Sequence, residues 1–307
     1  MVDPEISSSG QRVSAVVVNF NSGQYLLDCV GTALMQVDEV FVVDNASADN
    51  SLDLLLAKFP NEPRLKTVRN KKNFGFAKAC NIGHTNATSD IVLFLNPDCS
   101  LENEAISRLA AVLNSDKSIG MVGGLLLNEN GSEQGGSRRA VPTPWRSFVR
   151  AFGLHRFANR WPRLFYDFHL HRQPLPASHI EVEAISGACM MVKREAIADI
   201  GPWDEGYFLH CEDLDLCMRM RQRNWKIMFV PSARIVHVRG VCGSNRPVFV
   251  TWHKHKGMVR FYRKFFRHQY PLGLMGLVAV GVWLRFGLVA TYHSVKHIGR
   301  MLGVRRD

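Results

Sequence analysis

The chain has 307 residues and 34.6 kDa, 46% hydrophobic and 21% charged, which excludes a mainly disordered protein and leaves room for a full core. The net charge of +11 is concentrated in two segments: residues 251–307 carry eleven Lys/Arg against Asp307, and residues 138–180 carry eight Arg against Asp167. The rest of the chain is mildly acidic, which argues against a basic nucleic-acid-binding core and for two local contacts with something anionic.

In chain order, a polar stretch at 1–12 precedes apolar, β-branched runs at 13–20, 39–43, 65–69 and 91–95. Helical patterns lie between and after them, at about 24–35, 49–59, 76–87 and 101–114. Nearly continuous apolar runs alternating with helices predict a parallel sheet covered on both faces, which binds ligands beyond the carboxyl ends of its strands. The residues found there are polar: Asn19 and Asn21, then Asp44, Asn45 and Ser47, then Asn70, Asn73 and Gly75, then Asn96 and Asp98. Four successive strand ends bearing Asn or Asp point to a polar ligand site; Asp49 reads as a helix cap.

Residues 131–144, rich in Gly, Ser and Pro, predict a loop. Residues 145–180 mix Arg and His with aromatic residues, among them Trp145, Phe148, Trp161, Tyr166 and Phe168. A strand-like run follows at 181–194, interrupted by the small residues Gly187 and Ala188, where backbone can approach a ligand closely. A turn at 201–207, an acidic helix start at 212–215, and strands near 226–230 and 233–238 complete this part.

The residues at these places form an ordered set: Val18-Asn19-Phe20-Asn21, Val43-Asp44-Asn45, Asn73-Phe74-Gly75 with Asn81-Ile82-Gly83, and Leu95-Asn96-Pro97-Asp98. Gly187-Ala188, Trp203-Asp204-Glu205, Tyr207-Phe208, Glu212-Asp213-Leu214-Asp215 and His237 follow in the second half. Over about residues 13–240 the set resembles the family 2 glycosyltransferases, and most of all their rhamnosyltransferase-type branch, where Asn-Pro-Asp replaces Asp-x-Asp.

The resemblance implies an α/β fold of the GT-A type with a mainly parallel central sheet; composition adds a C-terminal basic and hydrophobic helical segment. Together, resemblance and composition divide the chain into a tail (1–12), a donor-binding half (13–130), a loop and basic-aromatic segment (131–180), an acceptor-binding and catalytic half (181–250) and a membrane-associating tail (251–307). The resemblance implies a nucleotide-diphosphate sugar as donor, contacted by Asn19, Asn21, Asp44, Asn45, Asn73, Gly75 and Asn96, with Asp44 placed to accept the base imide N–H. Asp98, with His237, would hold a divalent metal, Mg²⁺ or Mn²⁺, across the diphosphate. Asn96 brings no charge where relatives have Asp, so fewer anionic ligands are available. Asp213 is expected as general base and Glu212 as its orienting partner, with Gly187, Ala188, Asp204 and Glu205 toward the acceptor. One carboxylate base without a second nucleophilic carboxylate implies inversion. The first donor expected is dTDP-L-rhamnose and the acceptor a cell-envelope glycan or polyprenyl-linked sugar; the alternatives are a UDP-hexose or UDP-N-acetylhexosamine donor, or a non-catalytic carbohydrate-binding scaffold.

The tail carries its own signal. Basic and aromatic residues interleave over 253–267, and the next 13 residues, 272–284, hold no charge before Arg285. That run is short for a membrane span, and Arg285 at mid-membrane would cost about 2.5–3.5 kcal/mol. On a helix, Arg285, Tyr292 and Lys296 fall on one side and Leu288, Val295, Ile298 and Leu302 mostly on the other, the layout of an interfacial helix on an anionic membrane. The seven cysteines show no CxxC spacing and read as buried free thiols, and residues 1–12 lack an apolar leader core. The expected location is therefore the cytosol, at the inner face of the cytoplasmic membrane; pairing as a homodimer is left open.

Overall fold

The computed structural model describes residues 11–158, 160–161, 163–165, 170–238, 240 and 246–301. Most of the polar stretch at 1–12, Tyr166, Phe168, Cys242 and the basic end at 302–307 lie outside the described residues.

The first half follows the expected alternation: β1 (Val13–Asn19), α1 (Tyr25–Leu34), β2 (Glu39–Asp44), α2 (Ser51–Lys58), β3 (Leu65–Arg69), α3 (Phe76–Asn86) and β4 (Ile91–Leu95). Strands β1, β2 and β4 are buried along their whole length, as two-sided cover requires. The chain then departs from the expected helix at 101–114. A short strand, β5 (Cys99–Leu101), comes first, and α4 (Ala105–Ser115) begins only after it. Next is β6 (Ile119–Leu127), a fully buried strand that the sequence reading does not include. Its glycines weaken the strand signal, yet packing requires them. A Cβ on Gly123 would lie 2.7 Å from Ile185 Cδ1, and one on Gly124 would lie 2.5 Å from the Ala233 carbonyl oxygen.

The segment expected as loop contains β7 (Arg138–Arg139), and α5 (Pro144–Ala151) follows at the start of the basic-aromatic stretch, the helix being started by Thr143, whose hydroxyl accepts the Arg146 amide, and by Pro144 in its first turn. The strand-like run at 181–194 divides into β8 (Ile180–Glu181), β9 (Ala184–Ile185) and β10 (Cys189–Lys193), followed by α6 (Arg194–Ile200) and α7 (Glu212–Gln222). The two runs near 226–230 and 233–238 are one strand, β11 (Lys226–His237), whose register slips between Val230 and Arg234. Two helices end the described chain, α8 (Pro247–Phe266) and α9 (Leu272–Met301).

The main sheet runs β3-β2-β1-β4-β10-β6-β11-β5, with β8 beside β11. β3, β2, β1 and β4 are mutually parallel; β10 is antiparallel to both β4 and β6, and β5 is antiparallel to β11. The sheet is thus mixed but mostly parallel. Two apolar clusters cover its faces. The boundary expected at residue 250 falls inside α8. Val259, Phe261, Tyr262, Phe265 and Phe266 of α8 are buried in the same cluster as Leu214, Leu216 and Cys217 of α7, so α8 is part of the domain. The six cysteines within the described residues are free and buried.

Candidate active site

At the carboxyl end of β1, Asn19 is fully buried and its amide donates to Asp44 (2.7 Å), Ser51 (2.9 Å) and Ser47 (3.1 Å). The Asp44 carboxylate also accepts the Ser47 amide (3.2 Å). Asn21 accepts from the amides of Ala48 and Asp49, and Asn45 joins Asn70, the Phe74 amide, Asn73 and the Gly75 carbonyl. The side chains of Asn21, Asn45 and Asn73, expected to touch a donor, thus brace the loops that follow β1, β2 and β3. Gly75 has φ 88° and a Cβ there would meet the Phe208 carbonyl at 2.6 Å, so only glycine lets α3 start against the 208 loop. Asn19 holds the strand ends of β1 and β2 together rather than facing outward.

The second half meets the first through β10. Its first residue, Cys189, sits opposite Leu95, the Asn96 amide donates to the Ala188 carbonyl (2.9 Å), and the Gly187 amide donates to the Asp213 carboxylate (3.2 Å). Asn96, Ala188, Gly187 and Asp213 are therefore one continuous chain of contacts across the sheet edge. A Cβ on Gly187 would lie 3.1 Å from Asp213 Cβ, which gives the smallness of residue 187 its physical reason.

Asp213 is also ion-paired with Arg139, a half-buried residue of β7 that further donates to the Ile185 carbonyl (3.1 Å). Sequence reading counted Arg139 only within a basic segment; β7 pairing with β9 is what carries it to Asp213. The neighbouring Glu212 is 6% exposed, its Oε2 has no hydrogen-bond partner among the described residues, and burial together with the adjacent Asp213 charge pushes its carboxyl well above the usual range. Asp215, fully buried, pairs with Arg219 (2.6 Å) and Lys264 (2.6 Å) and is structural. His210 and Cys211, immediately before Glu212, both have left-handed backbone (φ 67° and 70°), as do Asn21 (52°) and Ala46 (61°) at the strand ends. Such conformations cost on the order of 1 kcal/mol or more for ordinary residues and collect where a site over-determines the chain.

Asp204 and Glu205, expected toward an acceptor, instead tie the protein together. Asp204 pairs with Arg260 and Lys264 of α8, and Glu205 with Lys78 (3.0 Å) and Asn81 (3.1 Å) of α3. Burial opposes the Asp204 charge, but the hydrogen bonds from Lys264, the Gly206 amide and Arg260 outweigh it and hold the carboxyl at about 2.

The unexpected β5 has a consequence at the other end of the site. Its antiparallel register places Cys99 opposite His237, which brings His237 Nε2 to 3.2 Å from Asp98 Oδ1, both residues being 8% exposed. The ligand atoms of Asp98, Cys99 and His237 all lie within 4.8 Å of one another. Cys99 donates its S–H to the Ala188 carbonyl (3.4 Å), and burial, with Asp98 nearby, pushes its thiol well up, leaving a carboxylate and an imidazole as the hard donors. Their separation is about the edge of an octahedron with metal–ligand distances near 2.1 Å, roughly 3.0 Å, so the pair could supply two adjacent ligands to a divalent cation. A cleft of about 570 Å³ opens beside Asp98 and Cys99, between them and Tyr25, Asp28 and Thr32 of α1; Asn19, Asp44 and Asp213 do not line it.

A mixed sheet of this order, with carboxylates at the ends of β2 and β4 and at the start of α7, defines a GT-A type nucleotide-sugar glycosyltransferase. The sequence profile for "Glycosyl transferase family 2" matches residues 14–201, and that for "Glycosyl transferase family group 2" matches 137–295. The chain belongs to glycosyl transferase family 2, and within it is similar to rhamnosyltransferases. It is 28% identical over 237 residues to the N-acetylglucosaminyl-diphospho-decaprenol L-rhamnosyltransferase of Mycobacterium tuberculosis, covering 72% of this chain and 74% of that one. It is 24% identical over 155 residues to the rhamnosyltransferase WbbL of Escherichia coli, covering 49% and 53%. Among solved structures, GalNAc-T7 with UDP, GalNAc and Mn²⁺ shares the fold with a TM-score of 0.61 at 18% identity, over 84% of this chain and 48% of that one. The mannosyltransferase of Pyrobaculum calidifontis with GDP-Man and Mn²⁺ does so with a TM-score of 0.57 at 15% identity, over 97% and 82%.

Proposed function

We propose that the protein transfers L-rhamnose from dTDP-L-rhamnose, with inversion, to a polyprenyl-diphosphate-linked sugar at the cytoplasmic membrane. The observation that carries the mechanism is the placement of Asp213. Its carboxylate is held by Arg139 and by the Gly187 amide, one contact from the Asn96–Asp98 turn. Similarity to the mycobacterial enzyme supports the sugar and the acceptor class.

Asp44, at the end of β2, accepts the imide N–H of a thymine-type base, and Asn96 faces the ribose. The braced loops of Asn21, Asn45 and Asn73 shape this donor pocket. Asp98 and His237 would hold Mg²⁺ or Mn²⁺, which supplies charge neutralisation for the leaving diphosphate. The acceptor hydroxyl oxygen attacks the anomeric carbon as the bond to the diphosphate oxygen breaks, and the hydroxyl proton passes to Asp213. Arg139 keeps Asp213 aimed. Glu212, protonated in its buried position, donates a hydrogen bond toward the acceptor. Asp204 and Glu205 act at one remove, by fixing the 203–208 loop against α8 and α3.

Membrane contact rests on α9. The 25 residues Leu272–Lys296 are long and apolar enough to cross a membrane, so length does not prevent a span. The inner side of the helix, however, packs on α8, with Val282 buried and Trp283 against Trp252 (ring centroids 4.8 Å). Its outer side exposes Leu277, Val280, Leu284, Leu288 and Val295. A helix with a soluble domain behind it and an apolar outer face suits an in-plane position, with exposed Arg285 reaching anionic headgroups.

The test is transfer from dTDP-L-rhamnose, UDP-glucose, UDP-galactose and UDP-N-acetylglucosamine to N-acetylglucosaminyl-diphospho-polyprenol. Product with dTDP-L-rhamnose alone, of inverted anomeric configuration, is expected. Product from a UDP-sugar alone overturns the donor assignment, and no turnover with any donor favours a binding scaffold. Full-length protein wholly soluble in low salt would overturn the membrane reading.

A further inference from the structure

We propose that Gln134, in the loop between β6 and β7, is the positioning residue that commits His237 to present a bare Nε2 to the divalent cation. The proposal rests on Asp98 and His237 being the metal pair.

The reasoning starts from which end of the Gln134 amide is which. One amide atom lies 3.1 Å from the His237 backbone carbonyl and 3.0 Å from Asn128 Oδ1. A backbone carbonyl only accepts, so this atom is the NH₂ group. The other end, Oε1, then faces His237 Nδ1 at 2.6 Å. Oε1 only accepts, so Nδ1 must carry a proton. A neutral imidazole has one ring proton, and Nε2 is left with its lone pair toward Asp98 Oδ1, 3.2 Å away. Two acceptors then face each other in a place where both residues are 8% exposed, an arrangement that a cation bound between them makes favourable.

The grip on His237 is double, ring and backbone from one side chain, and Gln134 is itself 2% exposed. Its own amide donates to the Leu126 carbonyl (2.8 Å), so β6 holds it in place. A neutral amide adds no charge that would compete with Asp98 for the cation.

Two substitutions separate positioning from simple support. Gln134→Leu removes both the acceptor and the donor. Gln134→Glu keeps an acceptor for Nδ1–H, loses the donor and adds a negative charge on the far side of the ring from the cation. Mn²⁺ affinity is read from the free-ion EPR signal, with Asp98→Ala and His237→Ala alongside. Loss of a group that orients a metal ligand costs roughly 10–100-fold in affinity, the effect expected for Gln134→Leu, with Gln134→Glu within about threefold of wild type. The imidazole nitrogen coupling in the pulsed EPR spectrum of bound Mn²⁺ is expected to persist in Gln134→Glu and fade in Gln134→Leu. Equal affinity for Gln134→Leu and wild type, or equal weakening of both variants, overturns the proposal. Unchanged binding in Asp98→Ala and His237→Ala overturns instead the metal pair on which it rests. Should neither Gln134 variant fold, ¹⁵N-histidine NMR of the unmodified protein at alkaline pH still decides: Nδ1–H with bare Nε2 is expected at His237, and the Nε2–H tautomer refutes it.

Discussion

Replacing Gly187 with alanine puts a methyl carbon 3.1 Å from Asp213 Cβ and 3.6 Å from its Oδ2. Gly187 does not have a positive φ, so the backbone accepts alanine and the perturbation is the contact itself. Carbon atoms settle at about 3.5–4.0 Å, so Asp213 must retreat by roughly half an ångström. The Gly187 amide bond to Asp213 is already 3.2 Å long, and the same retreat carries it past a useful hydrogen-bond length. A hydrogen bond to a charged group contributes about 1.5–3 kcal/mol, which corresponds to roughly a 10- to 100-fold fall in kcat if Asp213 acts in the transition state. Donor affinity should hold, because the displaced group is on the acceptor side. The assay is initial-rate release of dTDP from dTDP-L-rhamnose with lipid-linked acceptor, beside a thermal melt and donor titration. A kcat within twofold of wild type, from a variant shown by crystallography to have moved Asp213, would refute the reasoning.

Further outcomes are specific to other residues. Asp213→Asn removes the proton acceptor and keeps the shape; transfer should fall about 10²–10⁴-fold with donor binding unchanged, measured by the same assay and by calorimetry. Gly257→Ala sets a Cβ 2.7 Å from the His210 carbonyl oxygen, against the strained turn that presents Glu212 and Asp213. It should lower both Tm and kcat, and recovery of kcat without recovery of Tm in a suppressor screen would count against the coupling. Glu39 is nearly buried, which opposes its charge, yet hydrogen bonds from Lys66 (2.8 Å), Ser14 (2.5 Å) and Thr88 hold its carboxyl at about 2, down from 4.5. A depressed folded-state value stabilises above the unfolded value and is lost as pH falls toward 2. Glu39→Gln should therefore cost about 2 kcal/mol at neutral pH, after allowance for the half-exposed Lys66, and flatten the acid limb of a urea-melt series between pH 4.5 and 2.

Much of this architecture was legible because β1, β2 and β4 are buried on both faces and therefore write nearly unbroken apolar runs. The polar residues ending those runs marked the sheet edge correctly, although several of them turned out to brace loops: Asn45 is buried with its amide fully engaged. The glycine-rich β6 was not legible, since its glycines answer to Ile185 and Ala233, residues far away in sequence. Arg139 and Gln134 escaped for the same reason: each reaches its partner, Asp213 or His237, only after long-range pairing. Composition placed α8 with the tail, and only its buried Phe261, Tyr262 and Phe265 reveal it as part of the domain. Where a signal was local, periodicity or a strand end, it could be read; where two distant segments had to meet, it could not.

The measurement closest to the central claim is calorimetric titration of dTDP-L-rhamnose, with and without Mn²⁺, into wild type, Asp98→Ala and Asp213→Asn proteins. The account predicts metal-dependent binding to wild type and Asp213→Asn alike, and loss of the metal dependence in Asp98→Ala. Metal-dependent binding that survives in Asp98→Ala, or fails in Asp213→Asn while the protein remains folded, would contradict it.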